Sequence, residues 1–577
     1  MDRFRQSIGV CAVAVSALGA CGGAPSEASE DASHDPSGEA LRAHHKPNVL
    51  ATGSGAVEVF VNGVSLGTSA HAGALLQARS VLSAGENVVV LRAHRGGAHE
   101  PFASAEIHGA FGTASTSAAW KVKAAAGAEA TAPDGAWATL GYDDSDWAAA
   151  TDHGRAPDAP FPPHGPAHEV WSARATDATV LLRLTLYVPP GRRAAPRGFG
   201  HTVTGGHGGP VVTVHTRAEL THELCHSTGY DPALGTVCTD SEPRVIEVPS
   251  QVFDFRGTEG TTTASGCVVT QCTAPTESEY ITGQLGGCAG KATFPVTFDA
   301  AGNNPLLVGS NKTVVGVGAD ATLKGKGLRL RGGVSNVIVR NLTITEINPR
   351  IVWGGDAILL DGADRVWIDH NRFSLIGRQM IVSGFGKASN VTISWNEMDG
   401  RTPYAAYCNG AHYWVMLFLG ADDTITLDSN WIHHTSGRGP HAGGMKGATN
   451  AVHLVNNFYQ HVPGFAANPE TPLAKLLFEG NYFEDVKTPV FIDATDGLAF
   501  APTGAAARGT HGACHAALGR ACVANVASPM PTDGSTFPLD APVLTRFSAV
   551  APGGAMTPYG AVEVPKVVPH LAGPGHV

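Results

Sequence analysis

Five segments of this chain share one template. VWIDHNRF (Val366 to Phe373), VTISWNEM (Val391 to Met398), ITLDSNWI (Ile425 to Ile432), VHLVNNFY (Val452 to Tyr459) and LLFEGNYF (Leu476 to Phe483) each alternate, then place an asparagine before a large residue. The asparagines are Asn371, Asn396, Asn430, Asn457 and Asn481, at steps of 25, 34, 27 and 24 residues. VIVRNLTI (Val337 to Ile344) reads as an earlier rung with Leu342 in the asparagine position. Such a period predicts one short-strand coil per repeat, stacked on the next so that a continuous apolar column is buried. The asparagine can bond its neighbours at the bend above and below and so satisfy turn backbone groups. A propeller needs about 40 residues or more per repeat, so the expected class is all-β, a parallel β-helix. The 71 glycines and 37 prolines agree with a turn-rich β protein.

The 577 residues leave room for more than one domain. MDRFRQSIGVCAVAVSALGAC has a basic start, a short apolar run and small residues, the pattern of a secretory signal over residues 1–21. Leu18-Gly19-Ala20-Cys21 resembles a bacterial lipobox, in which Cys21 carries the lipid; the alternative is an ordinary signal peptide that contains a cysteine. No later segment is long and apolar enough to span a bilayer. Residues 22–47 are small and polar and read as a flexible tether. The expected location is extracellular or at the cell surface, with membrane contact only through the lipid. A formal net charge of -11 argues against nucleic acid as a partner, and a monomer is expected. Beyond the signal, eight cysteines remain, an even number that reads as disulfides in an exported chain.

Residues 48–190 read as a first domain. VEVFVNGVSLG (Val57 to Gly67) is two alternating strands joined by Asn62-Gly63, a hairpin signal. ENVVVLRAH and TVLLRLTLYVP add strands, and GYDDSDWAAA followed by EVWSA resembles the galactose-binding-like sandwiches appended to carbohydrate-active enzymes. That resemblance implies a jelly-roll-like β-sandwich, either binding a second carbohydrate or acting as a spacer. Trp147 and Trp171 are expected in its core. Residues 191–197, within PPGRRAAPRG, read as a linker, and the β-helix is expected over 198–577.

A β-helix is a scaffold, so function belongs to its irregular, charged interruptions. VWGGDAI (Val352 to Ile358), IGRQMIV (Ile376 to Val382) and SGRGP (Ser436 to Pro440) stand out. Arg378 is conspicuous among Ile376, Met380, Ile381 and Val382, because an unpaired charge in apolar surroundings is costly. Together with EPRVIEVPSQVFDFRGTEG, KGKGLRLRGGVSNVIVRNLTITEINPRIVWGGDAI, RVWIDHNRF and CNGAHYWV, these motifs fall in the order seen in pectin lyases of polysaccharide lyase family one. The resemblance runs from about Gly198 to about Phe547 and implies a right-handed parallel β-helix.

It also implies a reaction, β-elimination on methyl-esterified polygalacturonan. A base takes the carbon-5 proton, the bond from carbon-4 to the glycosidic oxygen breaks, and the product carries a 4,5-unsaturated uronate. The chemistry needs a base and a positive group beside the developing enolate. The resemblance implies Arg438 as the base, a role that requires nearby cations or partial desolvation because arginine is normally protonated. Pectate lyases of the same superfamily place calcium-binding carboxylates where this chain has Arg378, so Arg378 stands in for the metal, no calcium or other cofactor is expected, and Asp356 orients it. Trp353, Tyr413 and Trp414 match aromatic positions of the family's groove, where flat faces stack on sugars. His370 is expected to be structural.

The chain also departs from the pattern. CVVTQC and GQLGGC lack the tryptophans of the fungal enzymes, and His441, expected to bind substrate, follows Pro440 where the family often has lysine, ahead of an inserted AGGMKG. Disulfides implied by the resemblance are Cys267–Cys288, Cys272–Cys408 and Cys514–Cys522, which leaves Cys225 and Cys238 to each other. The competing expectations are a calcium-dependent pectate lyase and a non-catalytic polysaccharide-binding adhesin.

Overall fold

In the computed structural model the asparagines of the repeat stack into one ladder. Asn371 Nδ2 donates to Asn396 Oδ1 (3.1 Å), Asn396 to Asn430 (3.0 Å), Asn430 to Asn457 (2.9 Å) and Asn457 to Asn481 (3.0 Å). The ladder continues one step past the repeat, to Asn525 (2.9 Å). Leu342 holds the place the template assigns it, its N–H donating to Asn371 Oδ1 at 3.0 Å. The residue before each rung is left-handed: Asn341 (φ 60), His370 (52), Trp395 (54), Ser429 (59), Asn456 (52) and Gly480 (62). Most of these are not glycine, so the bend is strained, and the buried amide bonds of the ladder hold it.

The structure describes residues 49–577 apart from 79–81, 83–84, 98–99, 110–111, 132–134, 140–141, 156–166, 189–194, 274–275, 285–286, 445–446, 494–495, 532–536, 551–555 and 557. The signal segment with Cys21, the tether and positions 191–194 of the linker lie outside the described residues. Among the described residues, no helix is long and apolar enough to cross a membrane.

Each coil contributes one strand to each of three parallel faces. The first is a sheet of ten strands that includes Ser335–Arg340, Asp364–Asp369, Ser389–Ser394, Thr424–Asp428, Ala451–Val455 and Lys475–Glu479. The second runs through Thr343–Ile347, Arg372–Ile376, Glu397–Asp399 and Trp431–His433, and the third through Leu328–Arg331, Ile358–Asp361, Ile381–Ser383, Met416–Phe418 and His441–Ala442. The long strand Phe458–Pro469 belongs to both. Register aligns Val339, Ile368, Ile393, Leu427, Leu454 and Phe478 in one column, every member fully buried. Burial of each is worth about 1.5–3 kcal/mol, so the column is a substantial part of the core's stability.

Helix Arg217–Leu224 closes one end, inserting Leu220 and Leu224 into that core. Thr216 caps it by accepting from Glu219 N, and Glu219 accepts from His215 N, a reciprocal box. The outer face of the first sheet is covered as well. Phe199 N and Gly200 N donate to Thr426 Oγ1 (3.1 Å) and Thr392 Oγ1 (2.9 Å), and a Cβ on Gly198 would lie 2.3 Å from Thr426 Oγ1. Helix Ala541–Val550 packs Val543, Leu544 and Phe547 beside Phe199 and Leu477. A site on the flank of the third sheet is clear of these covers.

Residues 49–188 form two antiparallel six-stranded sheets whose inner faces share Val49, Val59, Leu91, Ile107, Trp120 and Leu182. Asn62 and Gly63 both take positive φ (51 and 85) at the hairpin. Trp147 (7% exposed) and Trp171 (0%) are core residues. Four disulfides close in the β-helix portion: Cys225–Cys238, Cys267–Cys288, Cys272–Cys408 and Cys514–Cys522.

Candidate active site

The three interruptions meet at one corner because each precedes a strand of the third sheet. Asp356 stands before Ile358–Asp361, Arg378 before Ile381–Ser383 and Arg438 before His441–Ala442. Ile358, Ile381 and Met416 are register partners, as are Leu417 and His441. Asp356 and Arg378 are therefore one coil apart, and Arg378 and Arg438 two coils, about 10 Å at the strand spacing.

Arg378 does not sit among the apolar side chains that surround it in sequence. Its guanidinium lies 3.9 Å from the centroid of Trp353 and its Nη1 donates to Asp356 Oδ2 at 3.2 Å. Gln379 N donates to Asp356 Oδ1 (2.9 Å), so backbone and side chain of this loop grip one carboxylate. His412, fully buried, donates from Nε2 to the carbonyls of Arg378 (2.8 Å) and Trp414 (2.9 Å). Burial pushes its imidazole below the usual histidine range, so it stays neutral and keeps one N–H for these carbonyls. Sequence reasoning missed His412, whose only signal is its place in CNGAHYWV beside the groove aromatics.

Arg438 is held by its backbone. It is left-handed (φ 53), its carbonyl accepts from Met416 N (2.6 Å), and Gly439 N donates to Ala466 O (2.7 Å). Behind it the buried Tyr459 hydroxyl donates to Gly439 O (2.7 Å). A Cβ on Gly437 would lie 2.4 Å from Tyr413 Cε2, so glycine there lets the ring reach the Arg438 side chain, 5.4 Å from guanidinium to centroid. Among the described residues no ion pair holds the Arg438 guanidinium, and its buried Nε has no partner.

Arg438 shares a cleft of about 690 Å³ with Tyr413, His441, Phe465, Asn468 and Glu470. His441 Nε2 contacts Glu470 Oε2, while its buried Nδ1 has no partner among the described residues. The His441 contact and the charge of Arg438 hold the Glu470 carboxyl below the usual range although burial opposes this. The inserted Met445 and Lys446 lie outside the described residues.

The aromatic expectations divide. Tyr413 borders both this cleft and a second one beside the Cys267–Cys288 loop. Trp414 lines that second cleft too, but only 5% of it is exposed and it packs edge-on against Tyr280, His412 and Tyr413. One face of Trp353 is taken by Arg378, so at most its other face is left for a sugar. Tyr280 and Tyr407, the latter 58% exposed, also line that second cleft, and the sequence did not single them out. His370 is buried at its ladder bend, bonded to Asp369 (2.7 Å). Two other groupings of metal-ligating types exist among the described residues, His222-Glu223-His226 and Glu397-Asp399-His433, and neither includes Asp356.

The site is thus a corner of a parallel β-helix that carries one paired arginine, Arg378, and one, Arg438, without an ion pair among the described residues. A family model described as pectate lyase matches residues 269–379. Over 352 residues the chain is 44% identical to the probable pectin lyase E of Aspergillus fumigatus, covering 60% of this chain and 86% of that one. It is 45% identical over 317 residues to the probable pectin lyase F of Neosartorya fischeri, covering 54% and 78%. A pectate lyase from Bacillus sp. N165, solved in complex with trigalacturonate, matches 66% of this chain and 99% of its own at 19% identity and a TM-score of 0.39, too loose a likeness to carry weight. The chain belongs to the pectin lyase family and is a polysaccharide lyase.

Proposed function

We propose that this protein cleaves methyl-esterified polygalacturonan by β-elimination without calcium. The observation that carries the reading is the division of labour between two arginines. Arg378 is fixed by Asp356 and Trp353 as a permanent cation, whereas Arg438 lines the cleft with no carboxylate bonded to it among the described residues. Arg438, deprotonated for this step, takes the carbon-5 proton and becomes a guanidinium, and the electron pair passes through the enolate of the ester to form the 4,5 double bond. The carbon-4–oxygen bond breaks, the leaving oxygen collects a proton from water, and the hydroxide so formed takes the proton back from Arg438. Arg378 stabilises the charge that grows on the ester carbonyl oxygen, the task a metal performs for an ionised substrate. A guanidinium gives this field without a vacant coordination site, which suits a neutral ester.

The test is absorbance of unsaturated product from highly methylated pectin and from polygalacturonate, each with chelator. Turnover of methylated pectin is expected to survive chelation. Arg378→Asp is expected to lose on the order of a hundredfold or more, because a fixed cation is lost and a second carboxylate faces Asp356. Strong loss of wild-type activity in chelator, or an unimpaired variant, would sink the reading.

Export is supported by the signal-like start and by the four disulfides. A lipid anchor at Cys21 rests on the lipobox-like LGAC alone; release of a Cys21→Ala protein that the wild type retains on the cell tests it. The first domain is a spacer or a binder of a second carbohydrate, and its buried tryptophans favour the spacer.

A further inference from the structure

One cation beside the site has no task in this chemistry. Arg329 lies in Leu328–Arg331, in register with Leu359, Val382, Leu417 and His441 along the third sheet. With Trp353, Asp356 and Arg378 it lines a cavity of about 180 Å³. Asp356 is already engaged by Arg378 and Gln379 N, and the neighbouring Arg331 donates to Thr236 O (2.7 Å). Among the described residues no hydrogen bond or ion pair reaches the Arg329 guanidinium, and its Nε is buried without a partner. Burial, then the charge of Arg331, pushes Arg329 down from the usual arginine value, while the nearby carboxylates of Asp356 and Asp361 act the other way without an ion pair to it among the described residues. A half-buried guanidinium left unpaired is unfavourable, and a carboxylate is its best complement.

The other end of the groove has the opposite sign. Asp493 and Asp496 line the Arg438 cleft with Glu470. Glu470 is paired with His441, while Asp496 accepts from Asn468 Nδ2 (3.0 Å) and Asp493 N (2.7 Å), and among the described residues neither aspartate has a cationic partner. A free uronate there would meet like charge.

We propose that the groove sorts its substrate by charge: Arg329 binds a de-esterified galacturonate carboxylate, whereas the Asp493–Asp496 end accepts only methyl-esterified residues. Two strand spacings, about 10 Å, separate Arg329 from Val382 on the strand that follows Arg378, so the free acid lies about two sugars from the residue whose ester faces Arg378. The preferred polymer is then partially, not fully, esterified, with a free acid at one end of the occupied stretch. This rests on the pectin-cleaving reading above and specifies which positions must carry the ester.

The test compares wild type, Arg329→Met and Arg329→Lys on fully methylated and on partially de-esterified polygalacturonan in chelator. Arg329→Met should lose roughly tenfold to a hundredfold in kcat/KM on the partially de-esterified polymer, the range of one charge-assisted contact, and keep its rate on the fully methylated one. Arg329→Lys should recover part of the loss. Asp493→Asn combined with Asp496→Asn should raise the rate on the de-esterified polymer relative to the methylated one. Equal losses of Arg329→Met on both polymers, or no loss on either, would overturn the proposal. Wild type that turns over neither polymer would instead reject the pectin-cleaving reading itself.

Discussion

Tyr459 is an interior rung residue whose hydroxyl has a single described partner, the carbonyl of Gly439 beside Arg438. Its ring stacks on Phe483 (4.9 Å between centroids), so removing the oxygen leaves the packing intact and isolates the bond. Tyr459→Phe abandons a buried carbonyl, which costs about 1–3 kcal/mol. The urea midpoint should fall accordingly. Because the released turn carries Arg438, kcat should fall roughly tenfold to a hundredfold with KM nearly unchanged. A stability loss without a change in kcat would show that the turn is held by Met416 N and Ala466 O alone. His412 plays the matching part at Arg378, where a neutral imidazole spans two backbone carbonyls.

Individual strands are short, and what fixes each one is its pairing above and below. At the far end, strand Lys475–Glu479 is locked to the C-terminal segment by a fully buried carboxylate. Glu479 accepts from Arg520 Nη1 (2.6 Å) and Nη2 (2.8 Å) and from His453 Nε2 (2.8 Å). Burial alone would raise this carboxyl, but those partners outweigh it and bring it from 4.5 to about 2. A folded-state value below the unfolded one means stability is fully present above about pH 4.5 and is lost as pH falls toward 2. Urea unfolding of wild type and Glu479→Gln across this range should show a shallower acid limb in the variant. The variant should also be less stable at neutral pH, since Arg520 loses its counter-charge.

For the whole molecule, every candidate reacting group lies beyond residue 350, on coils that close without the first domain. The lyase portion alone is therefore expected to keep its activity on soluble pectin. Its boundary matters, however. Arg197 donates from Nε (3.0 Å) and Nη2 (2.8 Å) to the buried carboxylate of Asp428, on the face opposite the core column. A chain starting at Ala195 should fold and turn over pectin like the full protein. One starting at Gly198 strips the guanidinium from a buried charge, a loss of about 3–5 kcal/mol. Thermal unfolding of both truncations, with turnover of each, checks this. A folded but inactive Ala195 chain would show that the first domain contributes to the site.

The β-helix was legible in the chain because its rungs are periodic. Alternation sets which side chains enter the column, and an asparagine every coil marks the bend, so even Leu342 could be placed without a contact map. Asp356, Arg378 and Arg438 could be picked out because charged residues interrupt apolar strands in motifs shared with a family. Their geometry could not. Sequence distance between Asp356 and Arg438 says nothing of closeness; strand register stacks their loops, and that is a property of the coils together. The same stacking decided that Trp414 is buried while Tyr407 is open, and it brought Tyr459 and His412 behind the arginines. It also left Arg329 unpaired beside Asp356, because a side chain's partners are set by its neighbours in space. Local periodicity determined the scaffold, and only tertiary packing decided which charges are satisfied and which remain for a substrate.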